Sequence, residues 1–437
     1  MISNNTISRD FLGDFPILLD GKPVEKITAF LFPNGGNNDP QTLIANAGKS
    51  FVGSYVLGMG FTFDDTNEDA TSLARMNELI EKDSRNADRI FPYIGGEEVN
   101  SSPTHSYHRY VINFGTLSED EACRWPDLMA IVEEKVKPKR LTQGSIVNPE
   151  RWWIFARPAS DLQRAIEGAD RVLFHANVSP HLAFAFLPSN MVYAAPHNVF
   201  TLSEFSHFVP LQSRIHEIWA RFFGSSMKDD LRYTPSDCFE TFPFPENWET
   251  DETLESIGKT YYEFRAALMV QNNQGLTATY NRFHDPEEID PDILKLRELH
   301  SAMDRAVLNA YGWPDIDTTC EFRLDYEDED PLSPNPSPTS GEGNRNLLPP
   351  SPPVREGLGM RGMSKRKKPW RYRWPEATHD EVLARLLILN QQRYDHEALM
   401  GKSKATKGKT KKSPSKVPKN TKQLNLIQPA AEQLDLL

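Results

Sequence analysis

Pro126-Asp127 followed by Glu133-Glu134-Lys135 has the order of acidic residues and lysine with which metal-dependent nucleases cut phosphodiesters. Such carboxylates share a divalent ion that polarises a phosphate and activates water. Here they fall on a helix predicted from Pro126 to Val136, whose buried stripe is Leu128, Ile131, Val132 and Val136. Glu133 and Glu134 then face solvent, and a solvated face outweighs catalysis. Ala47-Gly48-Lys49-Ser50 ends like a phosphate-cradling loop, but Leu43 stands where the first glycine is required. A turn leading into a strand is expected there instead. Methyl transfer to a base amine needs an Asn/Asp/Ser-Pro-Pro-aromatic loop. Ser351-Pro352-Pro353-Val354 lacks the aromatic, and Gly58-Met59-Gly60 is too short for a methyl-donor loop. No catalytic residue and no cofactor are expected in this chain.

Metal chemistry is not expected either. His105, His108, His181 and His216 lack ligand spacing, and the last two read as structural. Cys123, Cys238 and Cys320 are odd in number and far apart, which supports neither a disulfide framework nor a zinc site and fits a reducing cytoplasm. What remains are residues suited to recognition. His175, Asn177, His197 and Asn198 stand among short apolar runs bounded by Pro, Ser and Asn, the pattern of successive strands and turns. Amides and imidazoles can hydrogen-bond a base edge but make poor general bases without a partner.

The elements that would position them run from Arg171 to Pro245. The strands are followed by one amphipathic helix with Phe208, Leu211, Ile215, Ile218, Trp219 and Phe222 on a face. Phe239 to Pro245 alternates aromatics and reads as an extended strand packed under that helix. Upstream, strand-like pieces between residues 15 and 63 precede a helix from Asp69 to Lys82, a polar loop from Glu97 to His105 and a strand from Tyr110 to Phe114. Ser118 and Glu121 form a capping box. The fold class is therefore α+β, with a mixed-sheet domain over 1–248. Helical patterns over Glu252 to Gln271 and Asp292 to Tyr311, the second striped by Leu294, Leu296, Leu299, Met303, Val307 and Leu308, predict a helical subdomain over 249–320, its two helices joined by a polar loop.

Residues 321–369 begin acidic and then hold eight prolines between Pro331 and Pro353, so a disordered linker or insertion is expected. Structure should resume at Trp370, with Leu383, Leu386, Leu387, Asn390 and Tyr394 marking a helix that packs on the helical subdomain through residue 400. A disordered tail is expected over 401–437, where Lys402 to Lys422 holds nine lysines and no acid. Net charge is −12 over 437 residues, which leaves room for a basic cleft or tail but not for a surface basic everywhere. No basic-then-apolar N-terminal segment and no run of 18 apolar residues occur, so neither secretion nor membrane insertion is expected.

Seven strings then occur in order: RIFPYIGGEEVNSSP, HRYVINFGTLSEDEA, VEEKVKPKR, RWWIFARP, RVLFHANVSPHLAFAFLP, LQSRIHEIWA and RYTPSDCFETFPFP. Together they resemble the target-recognition domain and following region of the MmeI-like class of single-chain type II restriction-modification enzymes. The resemblance covers roughly residues 16–313 and returns at Trp370 to His396. In that family a nuclease and an adenine-N6 methyltransferase precede this region, and one recognition domain directs both. The resemblance implies duplex DNA as partner, and a split gene or a methyltransferase/nuclease polypeptide holding S-adenosylmethionine and Mg. By the same resemblance His175, Asn177, Tyr193, His197 and Asn198 are the base-reading candidates. Arg109, Lys137, Lys139, Arg140, Arg151 and Arg171 are candidates for phosphates, which supply affinity rather than sequence choice. The expected function is recognition of a short duplex site, with catalysis elsewhere. Two rivals are a complete methyltransferase, revealed by turnover of a labelled methyl donor, and a nonfunctional remnant or protein-interaction module, revealed by no DNA retention at low salt.

Overall fold

Two four-stranded sheets carry the middle of the chain in the computed structural model, which describes residues 17–19, 22–30, 32, 35–142, 149–227, 230–324 and 370–407. The first sheet has the strand order Val192–Tyr193, Ile90–Ile94, Arg109–Ile112, Thr62–Phe63, parallel at its first pairing and antiparallel at the other two. The second runs Ser50–Val52, Asn198–Phe200, Arg171–His175, Phe184–Pro188 and is antiparallel throughout. This mixture of sheets with helices is the α+β class expected. Met1–Tyr394 forms one compact unit; of the second, Asp395–Leu437, the described part continues the helix Glu376–Lys407. No helix among the described residues is long and apolar enough to cross a membrane.

Local chemistry explains the helix boundaries. Ser72 caps Leu73–Lys82 by accepting from the Arg75 amide, and Ser118 and Glu121 make the expected reciprocal capping box. Pro126 opens Pro126–Lys135, where Glu133 and Glu134 are exposed and Asp127 pairs with Lys82 at 2.7 Å. The metal-nuclease pattern is thus a solvated helix face. Gly48 turns the chain at φ +73 into the strand at Ser50, while Lys49 pairs with Glu249.

Several expectations need correction. The helix read through Phe208–Phe222 is two helices, Phe205–Gln212 and Arg214–Phe223. They break at Ser213, whose hydroxyl accepts from the His216 amide and donates to the Pro210 carbonyl, so it caps one helix while closing the other. Phe239, Phe242 and Phe244 are buried as expected, but on a turn after the short helix Pro235–Cys238 rather than on a strand. The polar loop between the long helices holds the helix Leu276–Phe283, because Leu276, Thr279, Tyr280 and Phe283 share a buried face. Leu294 is 43% exposed, off the stripe. Glu321–Leu324, assigned to linker, pairs antiparallel with Trp370–Arg373, and helix extends through Lys407 where tail was expected. Residues 325–369 and 408–437, on which the disorder expectations otherwise fall, lie outside the described residues.

The core crosses the boundary expected at residue 248. One cluster runs from Phe174, Phe184 and Phe200 through Trp219 and Tyr261 to Leu296 and Leu386, and a second gathers Phe61, Val111, Leu128 and Trp153. Buried polar bonds cross it too. Arg265 donates to the Phe184 carbonyl at 2.7 Å and packs its guanidinium over Tyr262, tying Glu252–Gln271 to the second sheet. Arg214 pairs with Asp304 at 2.6 Å, both buried, and that carboxylate also accepts from the Arg214 amide at the helix start. Asn390 on the last helix donates to the Gln41 and Thr241 carbonyls and accepts from the Gln41 amide.

Candidate nucleic-acid interface

The second sheet places the base-reading candidates, and it buries most of them. Asn198 and His175 are register partners on adjacent antiparallel strands, and both are wholly buried. The His175 ring lies 4.8 Å from both Phe184 and Tyr233, and neither of its nitrogens has a hydrogen-bond partner. Burial first, and His197 second, push its pKa down to about 3, so it is a neutral core imidazole. Asn198 donates to the Tyr233 carbonyl at 3.0 Å. Tyr193 is 2% exposed and donates its hydroxyl to the Pro188 carbonyl. These three side chains therefore cannot reach a duplex from where the fold puts them. Period-two alternation places residues on faces, but it does not say what covers each face.

His197 and Asn177 stay at the rim, each half-buried. The loop that carries His197 follows a cis Ala195-Pro196 bond and is clamped on two sides by glycine. Gly53 donates to the His197 carbonyl, and a Cβ at Gly53 would stand 2.4 Å from the Tyr193 carbonyl oxygen. A Cβ at Gly96 would stand 2.6 Å from the His197 ring. The Gly96 amide donates to His197 Nε2 at 2.9 Å and the Asn177 amide approaches Nδ1 at 3.2 Å. A neutral imidazole has one nitrogen lone pair, and either tautomer spends it on a backbone N–H. His197 thus joins two loops rather than presenting an acceptor outward. Asn177 is the base-reading candidate whose side-chain amide remains at the surface. Gly96→Ala should force the ring aside and cost about 1–3 kcal/mol by overpacking, measured by denaturant unfolding; an unchanged midpoint would show that the contact has slack.

One group went unread in the sequence. Glu98, 5% exposed, accepts from Arg109 Nε at 2.6 Å and from the Gly95 amide at 3.0 Å, and Arg109 lies over Tyr93. Burial pushes the Glu98 carboxyl up, but Arg109 and the backbone amides outweigh it and leave it below its ordinary value. This pair props the loop from Ser102 to His108, where Thr104, Ser106, Tyr107 and His108 are exposed beside the His197 clamp. The hint in sequence was the carboxylate pair Glu97-Glu98 after Gly95-Gly96, in the first turn of the helix Gly96–Ser101.

The phosphate candidates divide similarly. Arg140 is 1% exposed and donates to the carbonyls of Val56, Leu57 and Ile154, so it closes a core turn. Arg171 donates to the Ser203 carbonyl between the rings of Phe186 and Phe205. Arg109 is committed to Glu98. Lys137 is half-exposed, 4.6 Å from the Trp152 ring, and Lys139 and Arg151 are exposed. Their partners are Glu133, Asp69 and the Thr116 carbonyl, contacts weak enough for a phosphate to replace.

Residues 38–246 match the MmeI target recognition domain. The match takes in both sheets, the His197 clamp, Trp152 and the helices to Phe223, so the MmeI-like resemblance holds over that span. No curated protein matches the chain. Among solved structures, the type IIL restriction-modification enzyme MmeI in complex with DNA is 19% identical, at a TM-score of 0.46. That match covers 67% of this chain and 36% of the other, so the chain spans about a third of the length of the solved MmeI structure.

Proposed function

We propose that this protein recognises a short duplex DNA sequence on behalf of a type II restriction-modification system. The observation that carries the reading is the MmeI target recognition domain over residues 38–246. It is supported by a rim where Asn177 and the loop Ser102 to His108 are accessible, with Lys137, Lys139 and Arg151 exposed or half-exposed on the same domain. Adenine-N6 methyl transfer and cleavage, with S-adenosylmethionine and Mg, belong in this reading to another polypeptide or segment. Among the described residues no group of three or more His, Cys, Asp or Glu is placed to hold a metal ion. The reading puts the protein in the cytoplasm with its DNA.

The test is selection of a preferred site from random duplexes, followed by affinities of variants. Asn177→Ala should weaken the selected site by about 1–3 kcal/mol while leaving random duplex unchanged, since an amide reads a base edge. Lys139→Ala and Arg151→Ala should weaken both duplexes alike and each reduce the salt slope by about 1. Equal losses on both duplexes for Asn177→Ala would remove it as a reader.

A further inference from the structure

A cleft of about 90 Å³ opens between the helix Arg214–Phe223, His284 and the strand Trp370–Arg373. Among the described residues, four arginines line it, Arg214, Arg221, Arg371 and Arg373, with one carboxylate, Glu217. Two of them are held in place by one carbonyl: Arg221 and Arg371 both donate to Pro180 O, at 3.0 and 2.8 Å. Arg371 also bonds His181 Nδ1. Arginine has donors and no acceptor, so the lining presents N–H groups nearly throughout.

Two donors bordering this cleft have no partner. The indole Nε1 of Trp374, a residue 2% exposed, and Nε of Arg373 are buried without a hydrogen bond. Buried donors are almost always satisfied in folded proteins, and an exception asks what ligand supplies the acceptor. The imidazoles nearby fit a positive field. Burial lowers the pKa of His284 and His181, and Arg371 and Arg221 lower both further. The His284 ring is neutral and spends its Nδ1 lone pair on the Tyr372 amide. The lining carboxylate Glu217 is bonded to Arg221, and neither it nor His284 reaches Trp374 Nε1 or Arg373 Nε.

The geometry points to an oxyanion site in which a phosphate group accepts from Trp374 Nε1, Arg373 Nε and the neighbouring guanidinium groups. Several oxygens on one centre suit a fork of planar donors better than a single carboxylate does. The phosphate could be a free one or a DNA backbone diester, and Pro180 lies three residues from Asn177, so the second source would sit near the reading rim. The site stands whether or not the chain reads DNA.

The experiment uses the full chain and thermal unfolding with increasing inorganic phosphate, at ionic strength matched with chloride. A saturable rise in Tm is expected, because a ligand of the folded state stabilises it by mass action. Trp374→Phe keeps the ring and removes only the unpaired N–H. It should leave the Tm without phosphate unchanged or higher, and weaken phosphate binding about tenfold, as should Arg373→Met. A Trp374→Phe variant that melts lower without phosphate and responds to it like the parent protein overturns the proposal, as does the absence of any saturable response. Competition assigns the source. Displacement of phosphate by a random duplex, with duplex affinity lowered by Trp374→Phe, indicates the backbone diester; no displacement indicates a free phosphate.

Discussion

Asp304→Ala should destabilise the protein by about 3–5 kcal/mol, the usual cost of removing one member of a buried ion pair. The carboxylate is fully buried, and its two oxygens do different work. One accepts from Arg214 Nη1 at 2.6 Å, the other from the Arg214 backbone amide at 2.9 Å. The amide belongs to the first turn of Arg214–Phe223, where helical N–H groups lack partners and a negative charge is favoured. Burial disfavours the Arg214 charge, and Asp304 outweighs it, raising the guanidinium pKa. Alanine leaves a buried cation unpaired and takes the acceptor from the Arg214 amide, while Ser213 still caps the helix through His216. Arg214 also lies 5.3 Å from the Tyr372 ring, so the damage should spread to the strand Trp370–Arg373. Denaturant unfolding measures the loss; a change under about 1 kcal/mol would mean the pair is no more than a surface contact. Replacing both residues by apolar ones of similar volume should recover much of it.

Acid should unfold this protein through its buried imidazoles rather than through its carboxylates alone. Burial pushes His175, His181 and His216 down to about 3, and His284 and His300 well below the ordinary 6.5. Above pH 6.5 neither the folded nor the unfolded chain holds these protons, and the full stability is present. As pH falls below 6.5 the unfolded chain takes them up and the folded one does not, so stability drops until the folded pKa is reached. Each imidazole contributes about 1.4 kcal/mol per pH unit, and five together on the order of 7. Against a typical total of about 5–15 kcal/mol, unfolding should finish between roughly pH 4 and 5.5. Near-UV circular dichroism across that range, with proton uptake, reads the effect; a native spectrum at pH 3.5 would sink it. His175→Phe should shift the midpoint to lower pH, since that ring packs on Phe184 and Tyr233 and neither nitrogen bonds anything.

Much of the architecture was legible from periodicity and capping chemistry, in the helices at Leu73, Pro126, Glu252 and Pro291, and the string resemblance to MmeI-like recognition domains agrees with the match over residues 38–246. The site was less so, for a physical reason. A polar residue in an apolar strand looks the same whether it faces a groove or fills a core, and His175 and Asn198 fill a core. What distinguishes the cases is what covers them, here Tyr233 beside both and Phe184 against His175, brought in by long-range packing that no local pattern records. Ser213 shows the same limit at smaller scale: its helical spacing is unbroken, and only its hydroxyl bonds reveal that the helix ends there.

The pairing of Glu321–Leu324 with Trp370–Arg373 puts Leu324 opposite Trp370 as register partners. Two ends pinned side by side need only be bridged, and the entropy of bridging grows slowly, about 0.6 kcal/mol for each doubling of length. That junction is therefore a natural port for a fluorescent reporter or an unrelated cassette, spliced in with the ladder on either side kept whole.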